Sequence, residues 1–267
     1  MVSFVATPIG NLKDITLRAL ETLKEADVIF CEDTRHTLKL LNAYEIKKNL
    51  HACHKFNERE AAEKILQASR RGEKVVVVSD AGTPVVSDPG NVVCRTLREQ
   101  GEPYTLIPGA CAFVAGLVLS ALPADRFAFI GFLPDKASEK KAVLEKYKDV
   151  ELTLAFHCAP QDVDKDVKAM YEVFGDRPAC AVREITKIHE EAQNFRLADG
   201  LDGEKRGEYV LIVGGAEEKE SPLNALSPQE HIKHYMRAGL DKKEALKKTA
   251  KDRGVSKSEL YAYTIDL

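Results

Sequence analysis

Short runs of β-branched and aromatic residues alternate with amphipathic segments from Met1 to about Gly215. This alternation predicts an α/β fold, in which helical crossovers cover both faces of a mostly parallel sheet. In the first half the pattern predicts strands at 2–6, 28–31, 74–78 and 104–107 and a shorter one near His51. The segment 110–121 is apolar almost all round, which predicts a helix buried between layers or domains.

Leucines and capping residues predict the helices between these strands. Leu17, Leu20 and Leu23 recur every three residues and mark one helix face. Asn57, with Glu60 three positions later, predicts a capping box. Gly72 is expected just past the end of the same helix.

A second group of strands follows Pro123. Its predicted members are 127–132, 152–156, 179–183, 195–198 and 208–214. We therefore expect two α/β domains, 1–115 and 116–217.

The remaining segment, 218–267, is helical and rich in lysine, with helix starts predicted at Ser227, Asp241 and Ser256. From 219 to 267 it carries ten Lys and Arg residues against seven Asp and Glu residues. This pattern favours a small helix-turn-helix-like extension that binds RNA phosphate. A solvated lysine-rich tail is the alternative. The lysines expected to bind RNA are Lys242, Lys243, Lys247, Lys248 and Lys251.

Composition narrows the function classes. The 267 residues carry a formal net charge of −3, and 44% are hydrophobic, as in globular proteins. No apolar run is long enough to span a membrane and the start of the chain lacks a basic segment, so we expect a cytoplasmic protein with no membrane partner. The six cysteines are scattered without a C-x-x-C pair, and His231 and His234 lack a third ligand, so no metal site is predicted.

Three loops of small residues follow predicted strands, at 7–11, 79–90 and 108–110. The chain has neither a P-loop nor a G-x-G-x-x-G motif, which argues against kinases and dehydrogenases. Loops without large side chains let the main chain reach a ligand at the carboxyl ends of strands, so together they predict a cleft. Tight turns are the alternative for any single loop.

Charged residues also stand at predicted strand ends. Asp80 is placed to accept hydrogen bonds from a ligand, and Asp88 is an alternative for that role. Either Glu32 or Asp33 is expected to cap the following helix while Arg35 binds phosphate, unless this segment forms a closed local ion pair. Residues 183–191 form a second charged cluster after a strand.

Six ordered motifs resemble a known family over nearly the whole chain. They are 7–12 with 14–16, 31–35, 79–84 with 87–90, 107–109, 131–134 and 183–187. The chain is similar to the ribosomal RNA small subunit methyltransferase I family, which belongs to the tetrapyrrole methylase superfamily. The resemblance implies the class III fold, with S-adenosylmethionine (SAM) between two α/β domains and a small helical C-terminal extension. It also implies a homodimer that 2′-O-methylates a cytidine of 16S rRNA in the small ribosomal subunit.

The resemblance also implies where the cofactor binds. The implied contacts are Ile9, Asp80, Gly82, Thr83, Pro108, Gly109, Cys111, Ala112, Phe156, Arg183 and Val210. Three segments depart from the family pattern. Segment 156–162 replaces an aromatic-Glu-Ser-Pro-His-Arg run, Cys111 stands where serine is common, and 120–122 reads Ser-Ala-Leu in place of Ser-Gly-Leu. Loss of that arginine is expected to weaken RNA phosphate binding or to shift the target nucleotide.

Methyl transfer to a ribose hydroxyl needs alignment and removal of a proton. Lys187 is a candidate to stabilise the alkoxide or to accept the proton, and Glu184, Asp33 and Glu32 are the acidic candidates. Two other functions remain open. One is methylation of a tetrapyrrole or corrinoid, against which the basic extension argues, and the other is a non-catalytic RNA-binding assembly factor.

Overall fold

The computed structural model describes residues 1–217 and 222–264. The chain divides into two compact units, Met1–Ala216 and Glu217–Leu267. Among the described residues, no helix has the length and apolar character needed to cross a membrane.

The first sheet of Met1–Ala216 is entirely parallel, as predicted, in the order β3-β2-β4-β1-β5. Its strands are β1 (Val2–Val5), β2 (Val28–Cys31), β3 (Asn49–Ala52), β4 (Val75–Val78) and β5 (Tyr104–Ile107). The connecting helices are α1 (Leu17–Glu25), α2 (Thr34–Ala43), α3 (Glu58–Arg70) and α4 (Asn91–Glu99). The four valines of β4 are buried because helices cover both faces of the sheet.

Two local predictions in this half were wrong. Of the three leucines predicted to mark one face of α1, Leu23 is buried and Leu20 packs against the core, but Leu17 is 79% exposed. Asn57 does begin α3, but its side chain makes no capping bond and instead contacts the preceding turn, accepting from the His54 N–H and donating to the Ala52 carbonyl. Gly72 follows the helix with φ +85°, as expected of a glycine in that position.

The second sheet has the order β6-β7-β10-β8-β9. Its strands are β6 (Phe127–Phe132), β7 (Thr153–Cys158), β8 (Pro178–Arg183), β9 (Glu191–Arg196) and β10 (Tyr209–Val213), and the helices between the first three are α6 (Ala137–Glu145) and α7 (Val163–Phe174). Only β6 and β7 pair in parallel, and the other three pairs are antiparallel. The prediction of a mostly parallel sheet was therefore wrong for this half. No helix lies between β8, β9 and β10. The chain reverses from β8 into β9, and β10 then pairs antiparallel with the other side of β8.

The apolar helix α5 (Ala112–Ser120) packs on the second sheet. Gly116 allows this close approach, because a Cβ there would lie 2.8 Å from Val210 Cγ1. The opposite side of α5 remains open: Val114, Val118 and Leu119 are exposed, Val118 by 74%. The predicted burial of this helix is thus confirmed on one side only.

The unit Glu217–Leu267 contains three short helices among its described residues, α8 (Pro228–Arg237), α9 (Lys242–Asp252) and α10 (Lys257–Tyr261). They begin where predicted: Ser227, Asp241 and Ser256 each accept a hydrogen bond from the backbone N–H three residues later. A small core forms around Ile232, shielded by Leu240 and Leu246. The five lysines predicted to bind RNA are all exposed.

Candidate functional site

A cavity of about 580 Å³ opens within Met1–Ala216 at the carboxyl ends of β1 and β4. Loops of the first sheet line one side, and β7, β10 and the loop after β8 line the other. Eight of the predicted site residues line it, namely Ile9, Asp80, Gly82, Thr83, Cys111, Ala112, Lys187 and Val210. The small-residue loops therefore do leave an open space, as the sequence indicated.

Main-chain bonds fix the floor of the cavity. The Thr7 N–H donates to the Gly82 carbonyl over 2.9 Å, and the Gly82 N–H donates to the Thr7 carbonyl over 3.0 Å. Gly82 has φ +80°, a conformation that residues with a side chain rarely adopt. Thr83 links this loop to the loop after β5, because its hydroxyl donates to the Ala110 carbonyl over 3.1 Å. Pro108 and Gly109 do not line the cavity and instead lead from β5 to Cys111 and Ala112, which do.

Both loops at the mouth carry backbone strain. Val85 (φ +78°) and Ser87 (φ +66°) lie in the loop after β4, and Glu184 (φ +49°) and Thr186 (φ +68°) in the loop after β8. A β-branched residue at positive φ is a genuine outlier, and such strain clusters at functional sites. Glu58 secures the end of the first loop by accepting from the Gly90 and Val92 N–H groups, each at 2.7 Å.

Three carboxylates face the cavity from the first sheet: Glu32, Asp80 and Asp88. Burial raises the pKa of Asp88 to about 6, an effect that the nearby Asp80 charge reinforces and a Ser79 hydrogen bond opposes. Burial and the charges of Asp88 and Asp80 also raise the pKa of Glu32. The cluster therefore favours a positively charged ligand, which would relieve the repulsion among these carboxylates.

Asp80 is held in place by its neighbours. Its Oδ1 accepts from the Asp33 N–H over 2.9 Å, and its Oδ2 lies 3.1 Å from His36 Nδ1. Asp33 does not line the cavity. Its carboxylate caps α2 by accepting from the Arg35 N–H at 2.8 Å and pairs with the Arg35 guanidinium at 2.6 Å.

The closed Asp33–Arg35 pair weakens two predictions. The hydrogen bonds from Arg35 hold the pKa of Asp33 far below its ordinary value, so Asp33 is unsuited to remove a proton. Arg35 keeps an exposed guanidinium but already has one carboxylate partner.

Lys187 faces the cavity from the second sheet, paired with Glu184 Oε1 at 2.9 Å and Glu208 Oε2 at 3.7 Å. Burial acts to lower the pKa of Lys187, but the hydrogen bond and charges of these carboxylates together raise it. Lys187 is therefore a fixed cation rather than a proton acceptor. Glu184 lies outside the cavity lining and positions this ammonium, which holds the pKa of Glu184 below its ordinary value.

Two predicted cofactor contacts point away from the cavity. The Phe156 side chain is fully buried in the core on the far side of the second sheet. Arg183 bonds Glu191 at 2.6 Å and lines a separate, smaller cavity. Side chains alternate along a strand, so the cavity-facing residue of β7 is instead His157.

Sequence reasoning missed the aromatic wall of the cavity. Phe113 stacks on Phe129 with centroids 4.3 Å apart, and Phe129 meets His157 edge-on at 5.0 Å. Phe132, 61% exposed, continues the row 5.3 Å from His157. The alternation of β7 from Ala155 would have placed His157 on this face if the predicted strand, 152–156, had been extended by one residue.

Comparison with known proteins gives the chain a family. Residues 1–199 match the Tetrapyrrole (Corrin/Porphyrin) Methylases. The chain belongs to this methylase family. That confirms the family predicted from the six motifs, and the chain is accordingly a methyltransferase.

Two relatives that share one name match nearly the whole chain. The ribosomal RNA small subunit methyltransferase I of Halalkalibacterium halodurans is 40% identical over 265 residues, covering 96% of this chain and 92% of the relative. The protein of that name from Bacillus subtilis is 39% identical over 271 residues, covering 98% and 93%.

Solved structures agree on the fold of this methylase. The methyltransferase CobJ superposes with a TM-score of 0.61 at 19% identity, covering 80% of this chain and 94% of that one. A uroporphyrin-III C-methyl transferase from Thermus thermophilus, complexed with S-adenyl homocysteine, gives a TM-score of 0.55 at 22% identity, covering 80% and 96%. The predicted class III, tetrapyrrole-methylase-like α/β fold is thus confirmed. No group of side chains suited to a metal ion is found within 1–217 and 222–264.

Proposed function

We propose that this methylase transfers the methyl group of SAM to the 2′-hydroxyl of a cytidine in the 16S rRNA of the small ribosomal subunit. The observation that carries the proposal is the near full-length similarity to proteins named for ribosomal RNA of the small subunit. A ribosomal substrate places the enzyme in the cytoplasm.

The chemistry of the cavity fits the donor. SAM carries an ammonium and a sulfonium, and Glu32, Asp80 and Asp88 supply compensating negative charge. The main chain at Gly82 and Ala112 is accessible because no large side chain covers it. When bound there, SAM supplies an electrophilic methyl group.

The second sheet fits the acceptor. Lys187 is a held cation able to stabilise negative charge on a ribose oxygen as its proton leaves. The aromatic row ending at Phe132 offers a stacking surface of the kind that unpaired RNA bases use. Arg35 and the exposed lysines of α9 add positive charge for phosphates.

The deciding experiment is methyl transfer from radiolabelled SAM to isolated 30S particles, followed by mapping of 2′-O-methyl positions. We expect one labelled cytidine. Label in a corrinoid or porphyrin precursor would favour the small-molecule alternative, which the fold shared with CobJ keeps open. Absence of transfer to either would favour a binding protein without activity.

RNA binding by the extension has its own test. Lys247, Lys248 and Lys251, replaced together by Glu, should weaken 30S binding at least tenfold and flatten its salt dependence, because phosphate contacts release counterions. Replacing three exposed lysines elsewhere by Glu, Lys141 and Lys168 of α6 and α7 together with Lys146, is the matched control. Equal weakening by both variants would indicate only a general charge effect.

We further propose that the enzyme is a homodimer. The exposed apolar side chains of α5, together with Phe127 (40% exposed), form a surface patch that monomers rarely leave open. Val118→Glu should shift the sedimentation coefficient from dimer to monomer. A wild-type protein that sediments as a monomer would contradict the assignment.

A further inference from the structure

His157 occupies a central place in the cavity wall. It lies on β7, level with Phe132 of β6 and Val210 of β10. Its ring is fixed by two aromatic contacts, edge-on to Phe129 at 5.0 Å and inclined by 32° to Phe132 at 5.3 Å. Across the part of the chain that the structure describes, no hydrogen bond to either ring nitrogen is found. An imidazole so placed is available to a ligand in the cavity.

The charged groups around His157 come from both sheets. Glu208 and Lys187 flank it from the second sheet, and Glu32, Asp80 and Asp88 face the same cavity from the first. The residues that α5 adds to the cavity lining, Ala112 and Phe113, are uncharged. Burial lowers the pKa of His157, against the opposing effect of Glu208, so the imidazole is neutral at pH 7.5.

The other groups near the acceptor side are already engaged. Lys187 is a cation paired with Glu184 and Glu208. The Oε1 of Glu184 accepts from Lys187 and also from the Glu208 N–H, at 3.2 Å. Lys187 holds its proton and so has no lone pair to offer, and its hydrogen bond lowers the pKa of Glu184, which makes that carboxylate a weak base. A proton acceptor must be unprotonated, accessible and within reach of the reacting oxygen. On the second sheet, His157 meets the first two conditions.

We propose that His157 is the general base of the methyl transfer. This assignment rests on the proposed function, since it takes a ribose hydroxyl as the acceptor. A ring nitrogen takes the hydroxyl proton while the oxygen forms a bond to the methyl carbon and the carbon–sulfur bond breaks. The sulfur leaves as a neutral thioether. The imidazolium, next to Glu208, then returns its proton to water, so atoms and charge balance without another reactant.

The test compares His157→Gln with His157→Glu, because glutamine removes the base and glutamate supplies another. In single-turnover methylation of 30S particles, we expect His157→Gln to lose at least about 100-fold in rate. The SAM dissociation constant should stay within about threefold. His157→Glu should transfer the methyl group at least about tenfold faster than His157→Gln. His51→Gln is the matched control, since His51 stacks on Phe30 at 5.3 Å outside the cavity.

The pH profile separates a base from a positioning group. The wild-type rate should rise with pH and level off above the pKa of His157, whereas the His157→Gln rate should keep rising toward pH 9. NMR titration of the His157 ring in wild-type protein should give the pKa seen in the kinetics. This measurement needs no variant and no turnover.

Three results would overturn the assignment. The first is a His157→Gln rate within threefold of wild type, and the second is a rate in that variant that still levels off at the wild-type pH. The third is an imidazole pKa from NMR that differs from the pKa seen in the pH dependence of the rate. A wild-type enzyme inactive on 30S particles would instead overturn the proposed function, and the assignment with it. An active wild type with an equally active variant would remove only the role of His157.

Discussion

The two sides of the cavity differ in how they present their chemistry. The first sheet contributes main chain at Gly82 and Ala112 together with the carboxylates of Asp80 and Asp88. The second contributes larger side chains, namely His157, Lys187 and the exposed ring of Phe132. A cationic donor and an anionic acceptor need these opposite environments, so the division suggests that one side binds the methyl donor and the other the RNA.

The largest effect is expected on the acceptor side. Lys187→Ala should lower the rate of methyl transfer by about 100-fold or more, since it removes a fixed cation from the reacting oxygen. The SAM dissociation constant should barely change. Single-turnover kinetics and calorimetry would measure the two quantities, with Lys187→Arg as the variant that keeps the charge. Unchanged turnover in Lys187→Ala would remove this residue from the mechanism.

A smaller, opposite pattern is expected on the donor side. Asp80→Ala should raise the SAM dissociation constant by about tenfold, equivalent to ~1.4 kcal/mol. At saturating SAM the transfer rate should be nearly restored. Asp80→Asn separates charge from hydrogen bonding, because the amide oxygen can still accept from the Asp33 N–H. A calorimetric titration that matches wild type would contradict the assigned binding loop.

Donor affinity should also depend on pH through Asp88. Its pKa of about 6 lies above the ordinary 3.8, so the group is neutral at pH 5 and charged at pH 7. SAM binding should therefore tighten about three- to tenfold between these values. Asp88→Asn should flatten the dependence, measured by calorimetry at each pH. An identical slope in the variant would assign the titration to another group, such as Glu32.

The smallest effect is expected at Cys111. If the first sheet binds its ligand through main chain, Cys111→Ser should change the SAM dissociation constant by less than about threefold. Burial raises the pKa of this thiol, so wild type presents a neutral SH group of similar size. A tenfold change would show that the sulfur itself contacts the donor.

The sequence predicted the first sheet better than the second for a physical reason. Buried parallel strands such as β4 are continuous apolar runs, and helices of recognisable period separate them. Strand β9 is an edge strand with exposed polar residues, including Asn194, and its pattern does not distinguish it from a loop. Its antiparallel pairing is set by hydrogen bonds to β8, which the residue pattern of β9 alone does not reveal.

The same contrast applies to the site. Residues on small-residue loops were predictable because turn chemistry is local, and Gly82 and Thr83 lie where expected. On a strand, the face on which a side chain lies alternates from one residue to the next, so the contact that the resemblance implied at Phe156 falls on the core face and the neighbouring His157 faces the cavity. The sequence left two roles open for Arg35, phosphate binding and a closed local ion pair, and the structure shows the pair, with Asp33.

The paired bonds between Thr7 and Gly82 have a consequence for how the enzyme resets after each reaction. They tie the ends of β1 and β4 together at the floor of the cavity. We therefore expect the spent donor to leave past Phe132 and the loop at Ser87, the side on which the RNA is expected to arrive. The RNA and the by-product would then use the same opening of the cavity. A bound ribosomal particle would delay release of the by-product until the particle had dissociated.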